Sequence, residues 1–571
     1  MKKLVFYLMM VILASAVFHH PAQAAEEKTY GDVKYKVVTA KNGKQEIHIT
    51  GLSSYKNNIV IPSKIEGLPV VEIVDRAFTF DRSDYASDGT YDPMDSEEYR
   101  KTFIKSVQLP GTLKRIGDEA LAGHSLTKIA LPASLEEIGR SAFARNGLTA
   151  LTIPASVKKI DGNIVEANPI KTVKLPKQFE TVKSKKHGEF LYTVFEQKGK
   201  KEIRITGHTI KKNRAKLVIP AKINNLPVTE IGDYAFSEGN SLLGIIENYD
   251  FPHIKEIVLP PSIRKIGNDA FSTIYYQSNR SLQLPRDLEV IGNYAYKGNG
   301  SKNGGKELKF PPKIRVIGKE AFMYNQLQSV TIPSTVRELG KGAFAGNQLK
   351  KVTIGNGLTE IPANAFRTNA ITNLTLPKHV KTIGERAFET NKLPRIVLPA
   401  SVETIEDFAF ADNALTEASL PKQLQSIGKY AFAGNRLRTF TFPDRIKVVS
   451  ESVLSHNQLT AVTLPDGIQT IGDGAFFSNK LTAFTIPPNV KVFPYNIIEA
   501  NPIKVITVKG PSTRFIKDLY LVWGEYGEVG TNIPQLFTDR SMTQEWTGWE
   551  QASAPATLYV KYNPDAYVFP E

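Results

Sequence analysis

The sequence contains no cysteine. This absence excludes disulfide bonds, thiol catalysis and metal sites built on thiolates. A chain of 571 residues without disulfides must rely on its hydrophobic core, and this length is typical of several domains or of a long repeat array. The composition fits an exported bacterial protein better than a secreted animal protein.

Motifs that carry catalytic chemistry are also absent. The sequence holds no H-E-x-x-H, no G-x-S-x-G and no P-loop. Its 9 histidines are scattered, and none has the spacing of metal ligands. We therefore predict that the protein is not an enzyme and needs no cofactor.

Long apolar runs are confined to the amino terminus. Lys2 and Lys3 precede an apolar run from Leu4 to Phe18, and Ala22-Gln23-Ala24 matches an A-x-A cleavage site. This pattern predicts a signal peptide at residues 1–24. The alternative is an uncleaved anchor, but the run is short of the roughly 20 residues that span a bilayer. We find no later membrane-spanning stretch and no carboxy-terminal sorting motif, and we expect a secreted or wall-associated protein.

Positive charge is in excess. The formal net charge is +15, and it falls to +13 without Lys2 and Lys3. The tail at 511–571 is net −4, so the preceding region carries +17. A basic surface favours anionic partners such as wall polymers, acidic glycans or phospholipid headgroups, although net charge also serves solubility.

A period of 22 residues dominates the chain. Phenylalanine recurs with this period or a multiple of it, each time after an alanine, at Phe322, Phe344, Phe366, Phe388, Phe410, Phe432 and Phe476, with Leu454 in the skipped place. Asparagine keeps the same period at Asn325, Asn347, Asn369, Asn391, Asn413, Asn435, Asn457, Asn479 and Asn501. We predict stacked turns with a phenylalanine spine inside, and asparagines that bond backbone groups at a corner.

The repeat NQLQSVTIPSTVRELGKGAFAG, residues 325–346, shows how one turn is built. Val330 and Ile332 point inward from a short strand, and Pro333 ends that strand. Leu339 turns a second apolar edge inward, and Gly340 permits the next corner. The pattern resembles the BspA-type (treponemal-type) leucine-rich repeat over most of 59–508. This resemblance implies a repeat solenoid of the β-rich or α+β class, with a parallel sheet on its concave side. It also implies a surface protein that binds host or neighbouring-cell components.

The repeat array is duplicated. GDVKYKVVTAKNGKQEIHITG at 31–51 returns as GEFLYTVFEQKGKKEIRITG at 188–207, and the stop NIVEANPIK at 163–171 returns as NIIEANPIK at 496–504. Strands around Asn42-Gly43 predict a β-hairpin cap. We predict a cap and short array at 25–186, a second cap and long array at 187–510, and a small aromatic-rich module at 511–571.

The tail breaks the period and contains all 3 tryptophans: Trp523, Trp546 and Trp549. The segment at 536–564 resembles the internalin B-repeat (Listeria–Bacteroides repeat), and this implies a small β-grasp-like spacer or adhesion module. We favour a structural core over a sugar-binding patch for these tryptophans.

The candidate ligand face is the outward side of the first strand of each turn in the long array. Its predicted residues are hydroxyls and flanking cations: Thr331, Lys350, Lys351, Thr353, Thr375, Arg395, Arg436, Arg438, Thr441 and Thr463. Threonine also suits any exposed strand, and a charged face can be merely solvated, so structural roles stay open.

Insertions interrupt the period at 79–103, 237–253, 272–280 and 297–306, where loops often carry binding residues. The first holds Asp84, Asp88, Asp92 and Asp95 in an incomplete EF-hand-like order, so calcium is a candidate ligand beside a plain acidic loop. The leading hypothesis is a monomeric, adhesin-like protein that binds a protein, a glycan or an anionic wall polymer, and no nucleic acid. The alternatives are a wall protein held by charge and a hydrolase with its site in the insertions or tail.

Overall fold

The computed structural model describes residues 27–40, 42–53, 56–78, 103–161, 164–165, 167–177, 184–210, 216–237, 254, 256–272, 283–298, 307–510, 513–516, 535–538, 540–542, 544–547 and 557–561. The chain forms two compact units. Among the described residues, unit 1 comprises those before Ser184 and unit 2 comprises those from Ser184 onwards. Together they hold about 18 solenoid turns.

Unit 1 is built from short strands, most of them two or three residues long. They are β1 Lys28–Tyr30, β2 Val33–Thr39, β3 Gln45–Leu52, β4 Asn58–Val60, β5 Lys64–Ile65, β6 Leu68–Ile73, β7 Ser106–Gln108, β8 Arg115–Ile116, β9 Glu137–Ile138, β10 Ala150–Thr152, β11 Lys159–Ile160 and β12 Thr172–Lys174.

Unit 2 continues the same plan over more turns. Its strands are β13 Lys185–His187, β14 Phe190–Gln197, β15 Lys200–His208, β16 Leu217–Val218, β17 Lys222–Ile223, β18 Leu226–Ile231, β19 Ile257–Val258, β20 Lys265–Ile266, β21 Val290–Ile291, β22 Glu307–Lys309, β23 Val316–Ile317, β24 Ser329–Ile332, β25 Glu338–Leu339, β26 Lys351–Ile354, β27 Glu360–Ile361, β28 Asn373–Thr375, β29 Thr382–Ile383, β30 Arg395–Val397, β31 Thr404–Ile405, β32 Glu417–Ser419, β33 Ser426–Ile427, β34 Thr439–Thr441, β35 Val448–Val449, β36 Ala461–Thr463, β37 Thr470–Ile471, β38 Ala483–Ile486, β39 Val492–Pro494, β40 Val505–Val508, β41 Arg514–Ile516, β42 Gln535–Phe537 and β43 Thr557–Lys561. A 3-10 helix at Tyr495–Ile498 is the one helix bounded in the described part of the chain.

Most turns of unit 2 have two short strands, and equivalent strands of neighbouring turns pair in parallel within several small sheets. The first strand is represented by β24, which pairs with β22 before it and β26 after it. The second strand is represented by β25, which pairs with β23. Paired strands of successive turns are in register, so inward residues meet inward residues, and from Ile317 onwards the turns have the same length of 22 residues. The predicted β-rich solenoid with parallel sheets and 22-residue turns is confirmed.

The phenylalanines form one continuous spine inside unit 2. From Phe322 to Phe432 the rings stack turn on turn, with centroids 5.5–5.7 Å apart and interplanar angles of at most 14°. The stack extends backwards through Tyr296 and Phe271 to Phe236. These side chains are almost completely buried. The predicted spine is confirmed.

The asparagines tie each turn to the one before it. Asn347 donates from Nδ2 to the carbonyl of Phe322 at 2.8 Å and to that of Phe344 at 3.0 Å, and its Oδ1 accepts the Leu327 N–H at 3.0 Å. The same bonds recur at the equivalent asparagines, including Asn391 and Asn413. Because one amide satisfies donors and acceptors from two turns, the predicted corner role is confirmed.

From Gly340 onwards, the corner after the second strand alternates between glycine and a larger residue, whereas Gly292, Gly318 and Gly340 occupy it in three consecutive turns. A Cβ on Gly340 would lie 2.1 Å from the Lys319 backbone nitrogen, and one on Gly384 would lie 2.7 Å from the Ala363 nitrogen. Gly340 is therefore needed for close approach of the preceding turn. From this position onwards, the corner residues are Gly340, Pro362, Gly384, Glu406, Gly428, Ser450, Gly472 and Pro494.

Antiparallel strands close the beginning of each unit. In unit 1, β2 pairs with β3 across the predicted turn at Asn42-Gly43, where Gly43 has a φ of 79°. In unit 2, β14 pairs with β15 in the same way. Both hairpins then pass into the parallel sheet through β3 with β6 and β15 with β18. The predicted hairpin caps are confirmed.

The tail completes the far end of unit 2. Strand β43 pairs antiparallel with β40 of the final turn and with β42, and Trp546 packs against the core of the unit. Trp546 therefore takes part in the packing of unit 2, and the choice between a structural core and a sugar-binding patch stays a prediction, since Trp523 and Trp549 lie outside the described residues. Within the described residues, no helix is long and apolar enough to cross a membrane.

Candidate binding face of the second unit

The predicted hydroxyl residues lie side by side along the first strands. Thr331 is the register partner of Thr353, which is in turn the partner of Thr375. Further along, Thr441 is paired with Thr463. Thr353 is partly buried, and the other four are exposed. Each threonine lies between or beside inward residues of the core, as Thr331 does between Val330 and Ile332, so the strand alternation directs it outward.

We define the first-strand face by four outward positions in each turn, which in the first of these turns are Gln326, Gln328, Ser329 and Thr331. It runs from there to Thr507, a stretch in which every residue is described. Eight exposed cations occupy these positions: Lys350, Lys351, Lys392, Arg395, Arg436, Arg438, Lys480 and Lys504. In the same positions Glu417 is the sole acid. The face is therefore strongly basic.

The structure places the predicted cations on this face. Lys351 is the register partner of Ser329 and Asn373, and Arg395 is the partner of Glu417. Lys350 directly precedes β26, and Arg438 directly precedes β34. Arg436 follows the corner asparagine of its turn. The predicted cations are thus distributed over three turns rather than gathered at one point.

Elsewhere on unit 2 cations and acids are interspersed, and among the described residues some of the cations form ion pairs while others, such as Lys341 and Lys447, do not. On the second-strand side, the ammonium of Lys381 lies 3.0 Å from the Glu403 carboxylate, and Lys429 lies 2.8 Å from that of Glu451. None of the eight cations of the first-strand face has an ion-pair partner among the described residues. Their charges are left available to an external anion.

The corner after the second-strand side carries groups that satisfy one another. The guanidinium carbon of Arg386 lies 4.3 Å from the ring centre of Phe408, and Phe408 stacks on Tyr430 at 4.7 Å. The Tyr430 hydroxyl donates to Glu451 at 3.2 Å, and burial raises the pKa of Tyr430. Lys429, held by the same carboxylate, has a raised pKa because of that hydrogen bond. This corner is internally paired and has no comparable excess of free charge.

Three residues of the face were missed by the sequence analysis. Lys392, Lys480 and Lys504 occupy outward positions beside the predicted cations. The signal that finds them is the position within the 22-residue turn rather than proximity to a threonine. Because strand partners share a register, a residue's outward direction follows from its place in the turn.

The predicted calcium ligands cannot be placed, because Asp84, Asp88, Asp92 and Asp95 lie outside the described residues. The greater part of each of the four insertions also lies outside them. Among the residues that are described, no group of three or more histidine, cysteine, aspartate or glutamate side chains could hold a metal ion.

Four ranges of the chain match the model described as BspA type leucine rich repeat region (6 copies): 94–192, 229–315, 300–415 and 403–520. The chain belongs to the BspA-type leucine-rich repeat family. The matched residues include the whole first-strand face and end before the segment that resembles the internalin B-repeat, so that resemblance stays a prediction.

Solved structures with a similar fold include a leucine rich cell surface protein from Faecalibacterium prausnitzii, 23% identical with a TM-score of 0.39 over 58% of this chain and 96% of that chain. The Treponema pallidum leucine rich repeat protein is 23% identical, with a TM-score of 0.25 over 44% and 89%. The pneumococcal vaccine antigen PcpA is 18% identical, with a TM-score of 0.20 over 67% and 93%. No curated protein matches the chain.

Proposed function

We propose that this protein is an extracellular, adhesin-like binding protein that engages a protein or glycan ligand through the first-strand face and the insertion loops. The observation that carries this proposal is the charge of that face, where eight exposed cations accompany one acid and none of these cations has an ion-pair partner among the described residues. Exposed charge without a partner costs little to maintain and can be used in recognition.

Membership of the BspA-type family supports a binding role, since repeat solenoids present extended surfaces rather than enclosed reaction sites. The chemistry of the face agrees with that role. Hydroxyls and cations on rigid strands can donate hydrogen bonds to an anionic or polar ligand, whereas the face holds no combination of nucleophile and base. Extracellular location is proposed from the signal-peptide pattern at residues 1–24.

The test compares two variants with equal loss of charge. A face variant replaces Lys350, Lys351, Arg395 and Arg438 with alanine. A control variant replaces four exposed lysines that lie outside the first-strand face: Lys341, Lys378, Lys422 and Lys447. Wild type and both variants are measured against a glycan array, matrix proteins and cell-wall fractions.

We expect wild type and the control variant to bind the same member of the panel, and the face variant to lose that binding. Equal binding by the face variant would overturn the proposed site, and silence of the wild type across the panel would overturn the proposed function. Equal loss in both variants, with full release from cell walls by moderate salt, would favour a wall protein held by charge alone.

A further inference from the structure

We propose that the ligand of the first-strand face is a linear acidic polysaccharide in which charged and uncharged sugars alternate. This inference rests on the proposed function and names the ligand class of the same face. It follows from the order in which the cations occur along the solenoid.

The cations lie on every second turn. Taking each turn from its corner asparagine, the turn of Asn347 has Lys350 and Lys351, that of Asn391 has Lys392 and Arg395, and those of Asn435 and Asn479 have three more, Arg436, Arg438 and Lys480. The four turns that begin at Asn325, Asn369, Asn413 and Asn457 have none. The alternation ends at the last turn, where Lys504 follows Lys480.

The turns without cations present neutral polar groups in the same positions. The turn of Asn369 has Thr372, Asn373 and Thr375 on the face, and that of Asn457 has Gln458, Thr460 and Thr463. The Thr372 hydroxyl donates to the Lys350 carbonyl at 3.3 Å, so it is held in place and keeps a lone pair for a ligand hydroxyl. Thr416 and Thr460 make the equivalent bonds.

The spacing fits a sugar chain laid along the solenoid axis. Parallel strands are about 4.8 Å apart, so cationic turns recur at about 9–10 Å. A pyranose in an extended chain advances by nearly the distance of one turn. A chain that follows the face therefore meets cations with every second sugar and hydroxyl or amide groups with the sugar between.

Glu417 increases the expected preference for a polymer in which charged and uncharged sugars alternate. It lies on a neutral turn, in register with Arg395 on one side. A polymer with an anionic group on every sugar would bring one of those groups against this carboxylate, and like charges at close range weaken binding. A polymer with alternating charge places an uncharged sugar there.

The experiment uses the mature full chain and three probes of equal sugar number: hyaluronan fragments, in which glucuronate alternates with a neutral sugar, polygalacturonate fragments, charged on every sugar, and dextran fragments, which are neutral. Binding is measured by calorimetry at fixed salt. We expect hyaluronan to bind about tenfold more tightly than polygalacturonate despite its lower charge, and dextran not to bind. Affinity for hyaluronan should rise with length up to roughly seven sugars, because the cationic turns span about 29 Å.

A swapped variant changes the order of charges without changing composition. Two pairs of residues that hold equivalent positions in adjacent turns are exchanged. The substitutions are Lys351→Asn with Asn373→Lys, and Arg436→Gln with Gln458→Arg. Net charge is unaltered, and surface exchanges of this kind should leave the melting temperature unchanged. We expect a loss of about tenfold in hyaluronan affinity with polygalacturonate affinity unchanged.

The outcomes separate this inference from the function on which it rests. Tighter binding to polygalacturonate, or equal hyaluronan binding by the swapped variant, would overturn the alternating-sugar ligand. Binding of the wild type to a protein or to anionic lipid vesicles instead, lost in the face variant, would also overturn it while leaving the binding function intact. If no ligand in the wider panel depends on the face, both the alternating-sugar ligand and the proposed binding function are wrong.

Discussion

The interior of unit 2 and its first-strand face follow different periods. Inside, phenylalanine and asparagine return at every turn, because each ring stacks on the next and each amide bonds the preceding turn. On the face, cations return at every second turn. Packing explains a residue that must be the same in each turn, but it does not explain one that alternates on an exposed surface. The difference separates residues that hold the stack together from residues free to serve a ligand.

Breaking the interior should have the largest effect. Phe388 is fully buried between Phe366 and Phe410, with 5.5 Å between ring centroids on each side. Replacing it with alanine leaves a cavity and removes two stacking contacts. We therefore expect the free energy of unfolding measured in urea to fall by about 3–5 kcal/mol.

The matched control is Thr375→Ala, an exposed residue of a nearby turn. Its free energy of unfolding should stay within about 0.5 kcal/mol of wild type. Similar values for the two variants would mean that the spine is not what holds the turns together.

A histidine in the asparagine position of unit 1 makes the interior sensitive to pH. His124 is buried, and its Nε2 lies 2.9 Å from the Phe78 carbonyl, where a neutral ring donates as the asparagines do. Burial lowers the pKa of His124 to about 4. In the unfolded chain the ring titrates near 6.5, so acidification from there to about pH 4 favours unfolding, by about 3 kcal/mol across the window.

The control for this effect is His124→Asn, which restores the residue found at the other turns. Urea unfolding of wild type and variant is compared at pH 7 and pH 4.5. We expect the variant to gain stability relative to wild type at the lower pH, and a constant difference between them would contradict the role of His124.

Breaking one inter-turn amide should have a smaller effect. Asn413 donates to the carbonyls of Phe388, Phe410 and Ala411 and accepts the Leu393 N–H. Asn413→Ala leaves these buried groups without their partner, at a cost of about 2 kcal/mol in the free energy of unfolding. The exposed Asn373→Ala is the reference, and equal losses in urea would show that the buried amides contribute no more than surface ones.

The face itself should contribute least to stability. The variant that lacks Lys350, Lys351, Arg395 and Arg438 should unfold within about 0.5 kcal/mol of wild type, because these cations have no ion-pair partners in the described structure. A larger loss of stability would show that these cations help to hold the turns together. The distinction between a stabilising interior and a face free to bind a ligand would then be wrong.

The sequence alone is sufficient to predict the solenoid, since the period identifies the spine, the corner amides and the outward threonines together. Antiparallel pairing of β43 with β40 could not be predicted, because it joins segments about fifty residues apart that share no repeat. Lys392 and Lys480 were missed although each follows its corner asparagine as Arg436 does, because the prediction followed the threonines rather than the position within the turn. The ligand class depends on the order of charges, which becomes visible only when every turn is placed in register.

The alternation of charge has a consequence for how such a chain can change in length. The cationic turns of the face begin at Asn347, Asn391, Asn435 and Asn479, which are 44 residues apart. The corners set no such limit, because glycine occupies the corner in the consecutive turns of Gly292, Gly318 and Gly340. A gene that gains or loses two turns therefore keeps the charges of the face in phase, whereas a single added turn would put them out of phase. The unit by which this array can lengthen without disturbing its face is the double turn.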